Sequence, residues 1–168
     1  MIEITPFRTE FQNQLVELIL NIQQGEFNVP ITAKDQPDLF VIDEFYGKDG
    51  GQFWLAVSGE QVVGSIALIR IGNNAGVIRK MFVQKEFRGK AFGIAQRLFD
   101  TLLAYSVQNR IDDLYLGTIG RLHAALRFYE RNGFKVIQKD SLPRDFPVMQ
   151  VDNIFFKLST AKGQKFID

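Results

Sequence analysis

Residues 83–94, Val-Gln-Lys-Glu-Phe-Arg-Gly-Lys-Ala-Phe-Gly-Ile, constrain this chain more than any other stretch. An apolar run ends at Val83, a short basic loop punctuated by glycine follows, and a helical pattern opens near Phe92. A strand–loop–helix junction of this kind leaves several backbone N–H groups without intrahelical partners, all aimed one way. The helix adds roughly half a positive charge at that end. Arg88 and Lys90 bring full charges to the same loop, and Gly89 and Gly93 remove side chains that would keep a ligand off the backbone. Together these describe a socket for a phosphate or a pyrophosphate.

The rest of the composition narrows what such a socket can serve. The chain has 168 residues, 46% apolar and 23% charged, which suits one globular domain that buries about 70% of its unfolded surface. Twenty basic against nineteen acidic side chains leave a net charge of +1, and no basic run exceeds two residues. No broad footprint for nucleic acid is present. Cysteine is absent, which excludes disulfides, thiolate chemistry and zinc–thiolate sites, and a single histidine argues against a histidine-built metal site. The start, Met1 to Thr5, lacks a signal-peptide pattern, and no apolar stretch reaches membrane-spanning length. The expectation is a cytoplasmic protein with no nucleic-acid, membrane or metal partner.

Periodicity predicts the element order. A first strand covers Ile2 to Phe7; a helix capped by Thr9 runs to about Gln24, with Phe11, Leu15, Leu18, Ile19 and Ile22 on one face. A loop from Gly25 to Pro37 leads to a short helix over 38–46, stopped by Gly47 and Gly50-Gly51. Phe53–Val57 and Val62–Ile71 read as a hairpin about a Ser-Gly-Glu turn, and a further strand covers Gly76–Val83. The helix from Phe92 to Asn109 presents Ile94, Leu98, Leu102, Tyr105 and Val107 inward, and Asp113–Thr118 is a strand. Leu122, Ala125, Leu126 and Tyr129 share a helical stripe that stops at Asn132-Gly133. Phe134–Gln138 and Asn153–Leu158 are the last strands, separated by a loop holding Pro143 and Pro147. The result is an α/β (α+β) chain with a mixed, mostly antiparallel sheet of about seven strands flanked by about four helices.

Two segments carry a family resemblance. Arg88-Gly89-Lys90-Ala91-Phe92-Gly93 resembles the Arg/Gln-x-x-Gly-x-Gly/Ala pyrophosphate loop of the GNAT superfamily of acyl-CoA-dependent N-acetyltransferases. Further on, Ala125-Leu126-Arg127-Phe128-Tyr129-Glu130-Arg131-Asn132-Gly133-Phe134 resembles that family's Ala-x-x-x-Tyr-x-x-x-Gly-Phe helix-to-strand signature. The element order agrees with the family's layout over nearly the whole chain. The resemblance implies one N-acetyltransferase domain over residues 1–158, followed by a polar tail over 159–168. Two positions depart from the pattern. Ala91 stands where the family usually has glycine, which costs on the order of 1 kcal/mol if the position needs positive φ and almost nothing if it does not. Leu122 stands where many members carry an asparagine that bonds the pantetheine arm.

By position, the resemblance implies that Met81, Phe82 and Val83 pair with the pantetheine amides of acetyl-CoA. It places the pyrophosphate on the main chain of Arg88, Gly89, Lys90, Ala91, Phe92, Gly93 and Ile94. It makes Tyr129 the catalytic residue, lying near the thioester sulfur and donating a proton to the departing thiolate; taken by its stripe alone, Tyr129 reads as a core side chain. Acetyl-CoA is then the co-substrate, with no metal, and the acceptor is a small-molecule or peptide amine. An amine of pKa near 10.4 needs roughly 4.6 kcal/mol to free its lone pair at pH 7, so a base or a water path is required. The strand offers Arg79 and Lys80 where some members have a carboxylate, which leaves Glu26, Asp43 and Glu44 as candidates. His123 lies six positions from Tyr129, about 240° around the helix, and should not share its face. The loop Ser141–Pro147 is either a connector or a wall of the acceptor pocket, with Phe146 as its aromatic face.

The reading is an acetyl-CoA-dependent N-acetyltransferase in which the amine attacks directly. Its rivals are a non-catalytic acyl-CoA binder or regulatory protein on the same fold, and a different nucleotide-binding module. The latter would place its phosphate loop after the first strand of a parallel sheet. Monomer and homodimer both stay open, the dimer being common in the family.

Overall fold

A computed structural model describes residues 1–160. The strands are β1 (Ile2–Pro6), β2 (Gln52–Ser58), β3 (Gln61–Ile71), β4 (Ala75–Val83), β5 (Asp113–Thr118), β6 (Lys135–Ile137) and β7 (Ile154–Ser159). The α-helices are α1 (Gln12–Leu20), α2 (Ile42–Gly47), α3 (Ile94–Gln108) and α4 (His123–Arg131). The strands form one mixed seven-stranded sheet in the order β1-β2-β3-β4-β5-β7-β6. This is the expected α/β class, strand number and chain order. Contacts divide the chain into two compact units: unit 1 is Met1–Ile69 with Arg79–Ala104, and unit 2 is Arg70–Ile78 with the chain from Tyr105 onward.

In unit 1, β1, β2 and β3 pair antiparallel, and a β-bulge interrupts the β2–β3 register between Ala56 and Val57. The period of two along β2 turns Phe53, Leu55 and Val57 to one face. There they join Phe11, Leu15, Leu18, Ile19 and Ile22 from the first helical segment in a buried core that includes Leu39, Ile42 and Tyr46. Burying each such large side chain is worth about 1.5–3 kcal/mol, and that burial holds α1 in place.

No cap does so. Thr9 opens a 3-10 turn over Thr9–Phe11, and α1 begins at Gln12, with Phe11 at the N-cap and no side-chain cap. Beyond Leu20 the helix widens into a π turn, Asn21–Glu26, closed by Phe27 N–H donating to Ile22 O at 3.1 Å. The expected helix over 38–46 is two pieces, a 3-10 turn Pro37–Phe40 and α2, broken at Val41, whose φ of −140° and ψ of 50° are not helical. In α3 the buried residues include Phe99 and Ser106, while Tyr105 and Val107 are only half-buried. The expected stripe counted Tyr105 and Val107 as inward and did not include Phe99 or Ser106.

In unit 2, β4 pairs parallel with β5 from Ala75↔Asp113 to Val77↔Tyr115. Strand β7 lies antiparallel to both β5 and β6. Helix α4 stops as expected: Gly133, at φ 91°, turns the chain and Phe134 N–H donates to Tyr129 O at 3.0 Å. Strand β7 extends through Ser159, and the buried Thr160 donates from Oγ1 to Ile111 O at 2.8 Å. Two residues of the expected tail are therefore ordered; 161–168 lie outside the described residues.

Candidate active site

The basic, glycine-punctuated loop between Val83 and Ile94 lies in unit 1. After Val83 the chain makes a 3-10 turn, Lys85–Phe87, then a bend at Gly89 and a turn into α3. Gly89 has φ 111° and Gly93 φ 60°, both in the region that favours glycine. A Cβ built on Gly89 would meet no atom within 4 Å, so the main chain there is open to a ligand. Ala91 does not have positive φ. Alanine in place of the usual glycine is therefore free of backbone strain.

The donors sort into two sets. Arg88 N–H bonds Lys85 O, while the N–H groups of Phe92 and Gly93 both bond Gly89 O, at 3.3 and 3.1 Å. Those bonds shape the loop. The N–H groups of Gly89, Lys90, Ala91 and Ile94 have no acceptor among the described residues. Exposed main-chain donors at the head of a 15-residue helix suit an anion.

Arg88 departs from its expected part. Its guanidinium holds Glu26 with two bonds of 2.5 and 2.7 Å, donates from Nε to Val83 O at 2.8 Å, and lies over the Phe27 ring. It ties the π turn to the loop instead of reaching outward. Glu26, a candidate base, is committed to that pair. Asp43 and Glu44 are exposed on α2.

Behind the loop, β4 carries a feature that periodicity does not reveal. Lys80 is buried, and its backbone is left-handed at φ 53°, one residue before Met81–Val83. Its ammonium donates to Gln36 Oε1 and lies 3.9 Å from Asp38 Oδ2, and the Tyr46 hydroxyl donates to the same Asp38 oxygen. Gln36 is fully buried and exchanges two bonds with Gln23, at 2.9 and 3.1 Å. Burial pushes the Tyr46 phenol well above its usual range; Asp38 adds to that shift and Arg79 opposes it.

In unit 2, Tyr129 is buried on α4 with its ring against Phe128, Phe134 and Phe156, centroids 5.6–6.0 Å away. Burial, with the charge of Asp152 a lesser cause, pushes its phenol up to about 12. Leu122 is the N-cap of α4 and makes no capping bond, and His123 is exposed, as its helical angle implied. Phe146 is buried edge-on against Phe155 at 6.1 Å, and Asp145 accepts from Gly72 N–H at 2.7 Å. The Ser141–Pro147 loop is thereby fastened within unit 2. Among the described residues no group of three acidic or histidine side chains could hold a metal ion, and no helix is long and apolar enough to cross a membrane.

A loop of free main-chain donors at a helix N-terminus, in this element order, defines a class, and comparison with known proteins agrees. The family model for the acetyltransferase (GNAT) domain matches residues 49–136, just over half the chain. A crystal structure of a GNAT-family acetyltransferase from Staphylococcus aureus Mu50 is 40% identical with TM-score 0.92, over 95% of this chain and 99% of that one. This chain belongs to the GNAT acetyltransferase family. It is also 37% identical over 100 residues to the N-acetylaspartate synthetase of Danio rerio, covering 58% of this chain but only 35% of that protein's length. The PaiA N-acetyltransferase of Thermoplasma acidophilum, solved in complex with coenzyme A, shares the fold at 17% identity and TM-score 0.74, over 95% of this chain and 99% of that one.

Proposed function

We propose that the chain is an acetyl-CoA-dependent N-acetyltransferase, working as one domain, and that its unit 1 loop holds the diphosphate of the co-substrate. The observation that carries this reading is the set of uncommitted N–H donors at Gly89, Lys90, Ala91 and Ile94 beside open space at Gly89. The main chain of Met81–Val83 is assigned to the pantetheine amides. The coenzyme A in the Thermoplasma complex supports the choice of ligand. The similarity to an N-acetylaspartate synthetase puts amino-acid amines first among acceptors to assay.

In the reaction the neutral amine nitrogen attacks the thioester carbonyl, the C–N bond forms, the C–S bond breaks, the thiolate leaves, and the proton shed by the nitrogen passes to water. The absence of cysteine removes a thiol nucleophile, which supports direct passage of the acetyl group to the amine. Tyr129 is assigned to the leaving group through the family signature on α4. A phenol held at about 12 keeps its proton at neutral pH. Handing it wholly to a thiolate of pKa about 8.5 is uphill by roughly 5 kcal/mol, so its part is a hydrogen bond to the developing charge.

A second reading, an acyl-CoA binder without turnover, is favoured by one observation: Glu26 is locked to Arg88 while Asp43 and Glu44 face solvent. Thiol release measured against a panel of amines separates the two, since a binder releases none.

Coenzyme A at 100 times its Kd should stabilise the protein by about 2.7 kcal/mol, or roughly 5–10 °C in Tm at this size. Gly89→Glu puts a carboxylate where the anion would sit and should abolish the shift. A full shift that survives the substitution places the co-substrate elsewhere.

A further inference from the structure

Lys80 is the residue whose conformation most needs an explanation. A non-glycine residue at φ 53° inside a strand is disfavoured and persists only where its surroundings hold it. Two anchors do so, one on the backbone and one on the side chain. Ser65 Oγ, fully buried on β3, donates to Lys80 O at 2.6 Å. The ammonium is held by Gln36 and Asp38. Gln36 has its whole hydrogen-bonding capacity engaged: Nε2 donates to Gln23 Oε1 and to Thr32 O at 3.3 Å, and Oε1 accepts from Gln23 and Lys80. Asp38 is fixed in turn by Tyr46. A network satisfied in this way has one arrangement and resists displacement.

We propose that Lys80, Gln36 and Asp38 are positioning residues: their buried network holds the left-handed break in β4 and so sets the direction in which Met81–Val83 present their N–H and C=O groups to the co-substrate. This rests on the assignment of that strand to acetyl-CoA. The ion pair supplies geometry more than stability, because a buried pair recovers little beyond its own desolvation.

The test compares two full-length double variants in which the pair is removed together, so that no unpaired charge stays buried. Lys80→Met with Asp38→Asn keeps the apolar stem but disfavours the left-handed backbone. Lys80→Gly with Asp38→Asn loses the stem yet adopts that backbone freely. If the network acts through the break, the glycine variant melts lower than the methionine variant but binds coenzyme A more tightly, by about fivefold or more. A structural role alone orders affinity and melting temperature the same way, and that result overturns the proposal. So does wild-type affinity in both variants. Amide spectra of the ligand-free proteins judge the network separately from the functional reading. The Met81–Val83 resonances should move in the methionine variant and stay closer to wild type in the glycine variant. Unchanged resonances in both also overturn it. Should wild type bind no coenzyme A, the assignment of the strand fails, and these spectra alone decide whether the network sets the break.

Discussion

Tyr129 shows how one side chain's surroundings redefine its chemistry. As a free phenol it would titrate near 10; on α4, walled by three aromatic rings, it is pushed up to about 12. The folded protein therefore keeps a proton that the unfolded chain releases near pH 10. Between those values the unfolded state binds fewer protons, so stability falls as pH rises through the window from 10 to 12. Tyr46 acts with the same sign, but it is present in both proteins when wild type is compared with Tyr129→Phe. The expected outcome is that the urea midpoint of wild type drops more steeply between pH 10 and 12 than that of Tyr129→Phe. Parallel pH profiles would show that burial does not hold the proton. Arg88 teaches the complementary point. Its charge was legible as part of an anion socket, yet the carboxylate of Glu26, 62 positions away in sequence, takes both of its terminal nitrogens.

At the scale of elements, glycine decides where strands and helices can meet. Gly51, just before β2, sits so tightly that an added Cβ would lie 2.3 Å from Leu68 O and 2.4 Å from Tyr46 O. Neither backbone oxygen can step aside without moving β3 or α2. Gly51→Ala should therefore cost about 3 kcal/mol or more in urea unfolding, and a loss below about 1 kcal/mol would contradict the packing described here. The elements themselves were largely readable, because apolar periodicity is strong: β5 begins and ends where its pattern does, and the five predicted apolar positions of the first helix are all buried. What could not be read has physical causes. Thr9 looks like a cap, but burial of Phe11 sets the helix start, so α1 begins later without one. The π turn at Asn21–Glu26 is held by distant partners, Glu26 by Arg88 and Gln23 by Gln36, which a local pattern cannot encode. The same holds for the site. The donor loop was visible because glycine, charge and a helix start coincide in a dozen residues. The Gln23–Gln36–Asp38–Tyr46–Lys80 network was not, because polar residues scattered over five places in the sequence look like surface until the fold buries them.

For the molecule as a whole, a net charge of +1 supplies little overall attraction for a polyphosphate ligand. Affinity must come from a few groups fixed in place, and in unit 1 the N–H groups of Gly89, Lys90, Ala91 and Ile94 at the entrance to α3 are a set of uncommitted donors. Family membership, carried by residues 49–136 and by a close structural relative along nearly its full length, makes coenzyme A the ligand to try. The most direct measurement is a crystal structure of the full chain grown with coenzyme A. The diphosphate should lie within hydrogen-bond distance of the N–H groups of Gly89, Lys90, Ala91 and Ile94, with Arg88 still on Glu26. Coenzyme A bound with its phosphates away from those four amides would contradict the account at its base.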